Sequence, residues 1–181
     1  MNILLLLLLI NTPGHAGPAT TTWNLEKSEL TYTVKHPLKT ATGTSHDAKG
    51  RGQCSNAKCE FLIAAQVKSF DSGDSNRDLH MLEVTRGAAN PMITVRTSFD
   101  EKALESKSLP LSLAVEFAGK KATYSDVKFE IISKNAKTAH LRGTILLNLS
   151  DFDVKPPSLL TFSIEDRVPV TIDAMWTKTL R

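Results

Sequence analysis

The sequence predicts an all-β protein of about eight antiparallel strands closed into a barrel, with one short helix after the third strand. Apolar residues fall at every second position in run after run, which is the period of a strand with one dry face. Turn residues separate those runs at short intervals, and only one segment reads as a helix. A barrel fits better than a sandwich because the inward candidates are mostly aliphatic, with seven Phe, two Trp and two Tyr in 181 residues. Eight strands enclose a space just wide enough for side chains or one slender ligand, so an aliphatic lining leaves part of it unfilled.

The elements follow in order. Leu30-Thr31-Tyr32-Thr33-Val34 alternates cleanly, and Thr40 to Gln53, rich in Gly and Thr, reads as one bent strand at a barrel corner. The third strand runs from Cys59 to Lys68, with Phe61, Ile63, Ala65 and Val67 on one face and Gln66 and Lys68 on the other. Asp71 to Asn76 then offers Gly73 for a positive φ and short polar side chains for a helix cap. The helix that opens there carries Arg77, Asp78 and His80 in its first turns, has its body over Leu79 to Ala89, and ends at Asn90-Pro91. Strands resume at Met92 to Thr97. Leu111, Leu113, Val115 and Phe117 alternate best of all, and Ala118-Gly119-Lys120 turns the chain back into Tyr124 to Ile132. Thr138 to Leu149 follows a turn at Asn135. Asp151 to Asp166 is an extended connection, and Val168 to Trp176 is the last strand.

The chain opens with eight apolar residues, Ile3 to Ile10, a run too short to span a bilayer. Breakers and a small-x-small site at Gly14-His15-Ala16 follow, so residues 1–16 read as a signal peptide and 17–181 as a single exported domain. No Cys stands at the cleavage site, which argues against a lipid anchor. Lys and Arg number 22 against 19 Asp and Glu, a balance too mild for nucleic-acid binding. In an exported chain the default for Cys54 and Cys59 is a disulfide, and four intervening residues suit a hairpin whose flanks face each other. So short a loop gains about 2 kcal/mol from the bond.

Catalysis and cofactors find little support. Ser45-His46-Asp47 places three relay residue types together, but on a strand His46 points away from the other two. His80 and Glu83 share a helix face at the i, i+3 spacing of metal ligands, yet two ligands make no site. A metal-binding or stress-related role through that pair, and a ligand-free interaction module with a packed barrel, are the alternatives to small-molecule binding.

Several motifs resemble the YceI-like family of lipocalin-like, periplasmic polyisoprenoid-binding proteins. They are Trp23-Asn24-Leu25 with Ser28, Val34-Lys35-His36, Val67-Lys68-Ser69-Phe70, Asn76-Arg77-Asp78-Leu79-His80-Met81, Gly143 with Leu149-Ser150-Asp151-Phe152, and Arg167-Val168-Pro169-Val170. Together they span residues 23–176. The chain departs from the family's pattern at Glu83 to Ala89, where relatives usually carry aromatics. The resemblance implies a lipocalin-like eight-stranded barrel that holds a polyprenyl phosphate or isoprenoid quinone in the periplasm without catalysis, cofactor or stable membrane anchor. A homodimer is compatible with it.

On that reading, strand parity assigns Phe61, Ile63, Ala65, Val67, Leu111, Leu113, Val115, Phe117, Phe129 and Ile131 to the ligand-facing wall. Arg77 is the candidate for the head group, since its fork suits phosphate and carbonyl oxygens. The competing reading pairs Arg77 with Asp78 to close one end of the barrel, with His80 packed beneath the helix.

Overall fold

The computed structural model describes residues 20–37, 39–156, 158–159 and 162–180, so the expected signal peptide lies outside the described residues. In chain order the strands are β1 (Thr21–His36), β2 (Lys39–Ser45), β3 (Lys49–Ser55), β4 (Lys58–Gln66), β5 (Met92–Asp100), β6 (Ser108–Phe117), β7 (Lys120–Lys134), β8 (Thr138–Asn148), β9 (Ser158–Leu159), β10 (Phe162–Ser163) and β11 (Arg167–Leu180). One sheet runs β11-β8-β7-β6-β5-β4-β3-β1-β2, and β1 returns to pair with β11 from Thr21↔Leu180 to Tyr32↔Val170. Closure hides every dry face at once and removes the sheet edges. β2 and β3 pair with different stretches of β1 and share one place in the ring, so the closed antiparallel barrel has eight strands. β9 and β10 form a separate hairpin in the connection before β11.

The helix, α1 (Ser75–Val84), follows the fourth strand and not the third. The bent strand expected over Thr40–Gln53 is two strands, broken at His46–Ala48. β4, the neighbour of β3, ends at Gln66 in a short 3-10 turn, and beyond it Thr44 pairs with Asp71 by two backbone hydrogen bonds of 2.9 Å. At the step, the buried Ser45 hydroxyl accepts from the backbone N–H of Asp47 and hydrogen-bonds Ser69 Oγ at 2.6 Å. α1 is also placed earlier than expected, and the segment after Val84 is a turn.

The core follows the alternation. Leu109, Leu111, Leu113 and Val115 on β6 are all buried, and the residues between them are exposed. On β7 a bulge opposite Ser112 carries Asp126 at φ 57°, which moves the inward set from Ala122 and Tyr124 to Val127 and Phe129. A second bulge follows Ile131 and leaves Ile132 exposed. Gly52 and Gly143 stand opposite Phe61 and Phe129 across the ladder, and a Cβ at either glycine would run into the facing ring. Those glycines let aromatic rings lie flat against the wall.

Cys54 and Cys59 face each other across the β3–β4 hairpin and are joined by a buried disulfide. The two residues of the turn, Asn56 and Ala57, have φ of 51° and 62°. Two positive φ values give the turn whose twist matches that of the strands it joins. Asn accepts this conformation readily, whereas Ala57 is strained in it.

Candidate functional site

The interior of the barrel is not uniformly filled. A cavity of about 410 Å3 occupies the end beneath α1, and its wall is almost wholly aliphatic and aromatic. The size falls within the range of small-molecule sites, and so does the composition, apolar walls with a few polar groups at one edge. Each wall strand contributes through its inward positions: Leu30, Tyr32 and Val34 on β1, Ile63 and Ala65 on β4, Ile93 and Val95 on β5, Val115 and Phe117 on β6. Ile145 and Leu147 on β8 and Val168, Val170 and Ile172 on β11 complete the ring.

The rim is polar and basic. His36, Lys39, Arg77 and His80 line it, with Tyr32 and Thr85, and none of the described lining residues is Asp or Glu. α1 forms one side of the opening; none of its residues is fully buried, and Met81 packs against the core. Its start is fixed by Asp74, whose carboxylate accepts from the backbone N–H groups of Asn76 at 3.1 Å and Arg77 at 3.2 Å. The Arg77 N–H, then burial acting the other way, then the Arg77 charge leave the Asp74 carboxyl below its ordinary value.

Arg77 and Asp78 do not pair directly. They clasp Ser72 between them: Arg77 donates from Nε to Ser72 Oγ at 2.9 Å and from Nη2 to Ser72 O at 2.6 Å, while Asp78 accepts from the Ser72 hydroxyl and backbone N–H. This clasp holds the guanidinium plane at the rim, with Nη1 3.9 Å from Asp74. The Tyr32 phenol is raised above its usual value by burial first and by Asp78 second. His80 is not packed beneath the helix. It is half-exposed at the rim, 3.5 Å from Glu83.

The far end of α1 is held by a residue that sequence reasoning passed over. Gly87 N–H donates to Leu82 O at 2.7 Å and Arg86 N–H to Glu83 O at 3.0 Å, a Schellman ending that places Arg86 at φ 55°. Glycine normally fills that position. Here the Arg86 guanidinium reaches three carbonyls, Ala118 at 2.7 Å, Phe152 at 2.9 Å and Asp153 at 3.2 Å. It thereby ties the helix to the β6–β7 turn and to the 3-10 turn Leu149–Phe152. Lys120 and Asp153 reinforce that junction at 2.7 Å, and their hydrogen bond holds the Asp153 carboxyl below its ordinary value. Beside it Tyr124 donates to Asp151 at 2.7 Å, and burial with that bond pushes the phenol up to about 12.

The wall residues assigned from sequence divide between the two ends. Ala65, Val67, Val115, Phe117 and Arg77 line the large cavity, and Ile63 faces both it and the smaller space beyond. Phe61, Leu111, Leu113 and Phe129 stand at the opposite, disulfide end, where Phe61 stacks on Phe99 and meets Trp176 edge-on. Ile131 lines neither space. The contributions of β1, β5, β8 and β11 were missed, although Leu30, Tyr32 and Val34 show the same alternation that revealed β4 and β6.

Ser45, His46 and Asp47 form no relay: the Ser45 hydroxyl is bonded to Ser69, and His46 Nδ1 lies 3.3 Å from the carbonyl of Ser28. Among the described residues, the one cluster of three metal-capable groups is Cys54, Cys59 and Glu101, and its sulfurs are joined to each other. On the outer wall Asp173 accepts from His140 and Arg142 at 2.7 and 2.8 Å. Burial raises the Asp173 carboxyl, and those two hydrogen bonds outweigh it and leave it below its ordinary value. No helix among the described residues is long and apolar enough to cross a membrane.

The model of the YceI-like domain matches residues 22–176. The chain belongs to the YceI-like family. Two solved structures share this YceI-like barrel. One is a polyisoprenoid-binding domain from Saccharophagus degradans implicated in plant cell wall breakdown, 16% identical, with a TM-score of 0.70 over 87% of this chain and 98% of that one. The other is BcnA from Burkholderia cenocepacia, 17% identical, with a TM-score of 0.69 over 82% of this chain and 95% of that one. At such identities the likeness establishes the YceI-like fold alone. No curated protein matches the sequence.

Proposed function

We propose that this protein binds an amphiphilic isoprenoid lipid, a polyprenyl phosphate or isoprenoid quinone, in the cavity beneath α1 and carries it in the periplasm without chemical change. The observation that carries this reading is the cavity of about 410 Å3, apolar throughout and basic only at its rim. Burial of each CH2 contributes about 0.8 kcal/mol, so a chain of several isoprene units gains well over ~10 kcal/mol gross against association and ordering costs of about 4–15 kcal/mol. Affinity therefore rises with chain length until the cavity is full. The name of the Saccharophagus domain, a polyisoprenoid binder of the same fold, supports the ligand class.

At the rim, Arg77, Lys39, His36 and His80 receive the head group; the Ser72 clasp occupies the Nε–Nη2 edge of Arg77 and fixes the guanidinium there as a positive charge for phosphate or carbonyl oxygen. Export by the segment 1–16 delivers the barrel to the compartment where the Cys54–Cys59 bond persists. Native mass spectrometry of protein secreted from bacteria, followed by solvent extraction, tests the reading. A co-purifying isoprenoid, and thermal stability that climbs with the length of added isoprenoid alcohols, are expected. An empty extract together with a melting temperature indifferent to every chain length refutes it.

A further inference from the structure

The disulfide end of the barrel holds a second space of about 60 Å3, which adjoins the large cavity. Ile63, Val95 and Ile172 line both spaces and form the partition between them. Among the side chains around the smaller chamber, only Thr97, Trp23 and Trp176 carry a polar atom, and none carries a charge. Thr97 Oγ1 and Trp23 Nε1 are both buried, and neither finds a hydrogen-bond partner among the described residues.

Protein interiors seldom leave such groups alone, because an unmet hydrogen bond in a low-dielectric space is costly. Two unmet groups on the wall of one chamber mark a place where a hydrogen-bonding atom belongs. An indole N–H can only donate and a hydroxyl can donate as well, so the complementary group is an acceptor oxygen. A neutral oxygen fits better than an ionised one, since no charged side chain lines the chamber and Lys178 Nζ stands over the Trp23 ring, 5.7 Å from its centroid, rather than on the chamber wall. The room is that of about two water molecules, enough for a terminal carbonyl and too little for a quinone ring.

We propose that the inner chamber seats the neutral, carbonyl-bearing end of an isoprenoid ligand, with the Thr97 hydroxyl and the Trp23 indole N–H donating to its oxygen. The proposal rests on isoprenoid binding in the outer cavity and adds a direction to it. A ligand ending in a small neutral carbonyl enters head first, between Ile63, Val95 and Ile172. One ending in a phosphate keeps its head at the Arg77 rim and enters tail first. The barrel thus distinguishes two kinds of amphiphile by which end it swallows.

The test compares geranylgeranylacetone, an isoprenoid methyl ketone, with the hydrocarbon of equal chain length, titrated into the wild-type protein and into Thr97→Val. The variant keeps the side-chain shape and removes the hydroxyl. Ketone affinity is expected to fall roughly fivefold to tenfold in the variant with hydrocarbon affinity unchanged. The unliganded variant is expected to melt about 2–4 °C higher, because the unmet hydroxyl is gone. Trp23→Phe should show the same selective loss for the ketone. If both ligands bind the wild type and Thr97→Val weakens neither, or both alike, the chamber is not a carbonyl seat and isoprenoid binding stands without it. If neither ligand binds the wild type, the isoprenoid reading itself falls.

Discussion

The two ends of the barrel are made from the same strands and finished in opposite ways. At the disulfide end Trp23, Trp176, Phe61, Phe99 and Phe129 crowd the interior and leave about 60 Å3. At the helix end a mostly aliphatic lining leaves about 410 Å3, beside a helix with no buried residue. Rings packed against Gly52 and Gly143 concentrate the core at one end, and a covalent bond between β3 and β4 fixes that end further. The comparison teaches a division of labour. One end supplies the stability that lets the other remain hollow.

Truncation at matched positions should break that symmetry most visibly. Leu113→Ala, at the packed end, is expected to cost about 3 kcal/mol of unfolding free energy, and Leu147→Ala, on the large cavity, only about 1 kcal/mol. Urea denaturation measures both, and equal losses would mean that the ends are equally packed. Replacing both cysteines by Ser should cost about 2 kcal/mol and leave ligand affinity unchanged. A loss of affinity there would show that the ends communicate.

At the helix end, Arg86→Ala removes three carbonyl contacts and is expected to cost about 1.5 kcal/mol, with faster ligand release measured by stopped-flow displacement. Arg86→Gly should lie about 1 kcal/mol above Arg86→Ala, because glycine relieves the positive φ. The smallest effect belongs to the packed end: Ala57→Gly in the β3–β4 turn should gain about 1 kcal/mol or slightly less and leave binding untouched.

Much of the packed end was legible in the sequence, because it is written in local patterns. The alternation of Leu109, Leu111 and Leu113 is uninterrupted, and the spacing of Cys54 and Cys59 already implied a cross-strand bond. The hollow end was harder to read, since it depends on contacts between distant segments. The break at His46–Ala48 is set by where β4 ends and by Ser69, neither visible from Thr40–Gln53 itself. Parity carried Phe129 to the interior, whereas Ile131, in register opposite Leu141 just before a bulge that no local signal marks, lines neither space. Arg86 was passed over because glycine is the residue expected at a left-handed helix ending. Gly87, one position later, was the available hint.

The central claim is that the space beneath α1 is where the ligand lies. Ala65 is buried in the wall of that space, and Phe in its place projects a ring into the cavity rather than into packed core. The decisive measurement is the affinity of Ala65→Phe for a series of isoprenoid alcohols, set beside its melting temperature. Affinity reduced about tenfold or more, equivalent to about 1.4 kcal/mol, with the melting temperature maintained is the predicted result. Affinity equal to that of the wild type at every chain length would contradict it.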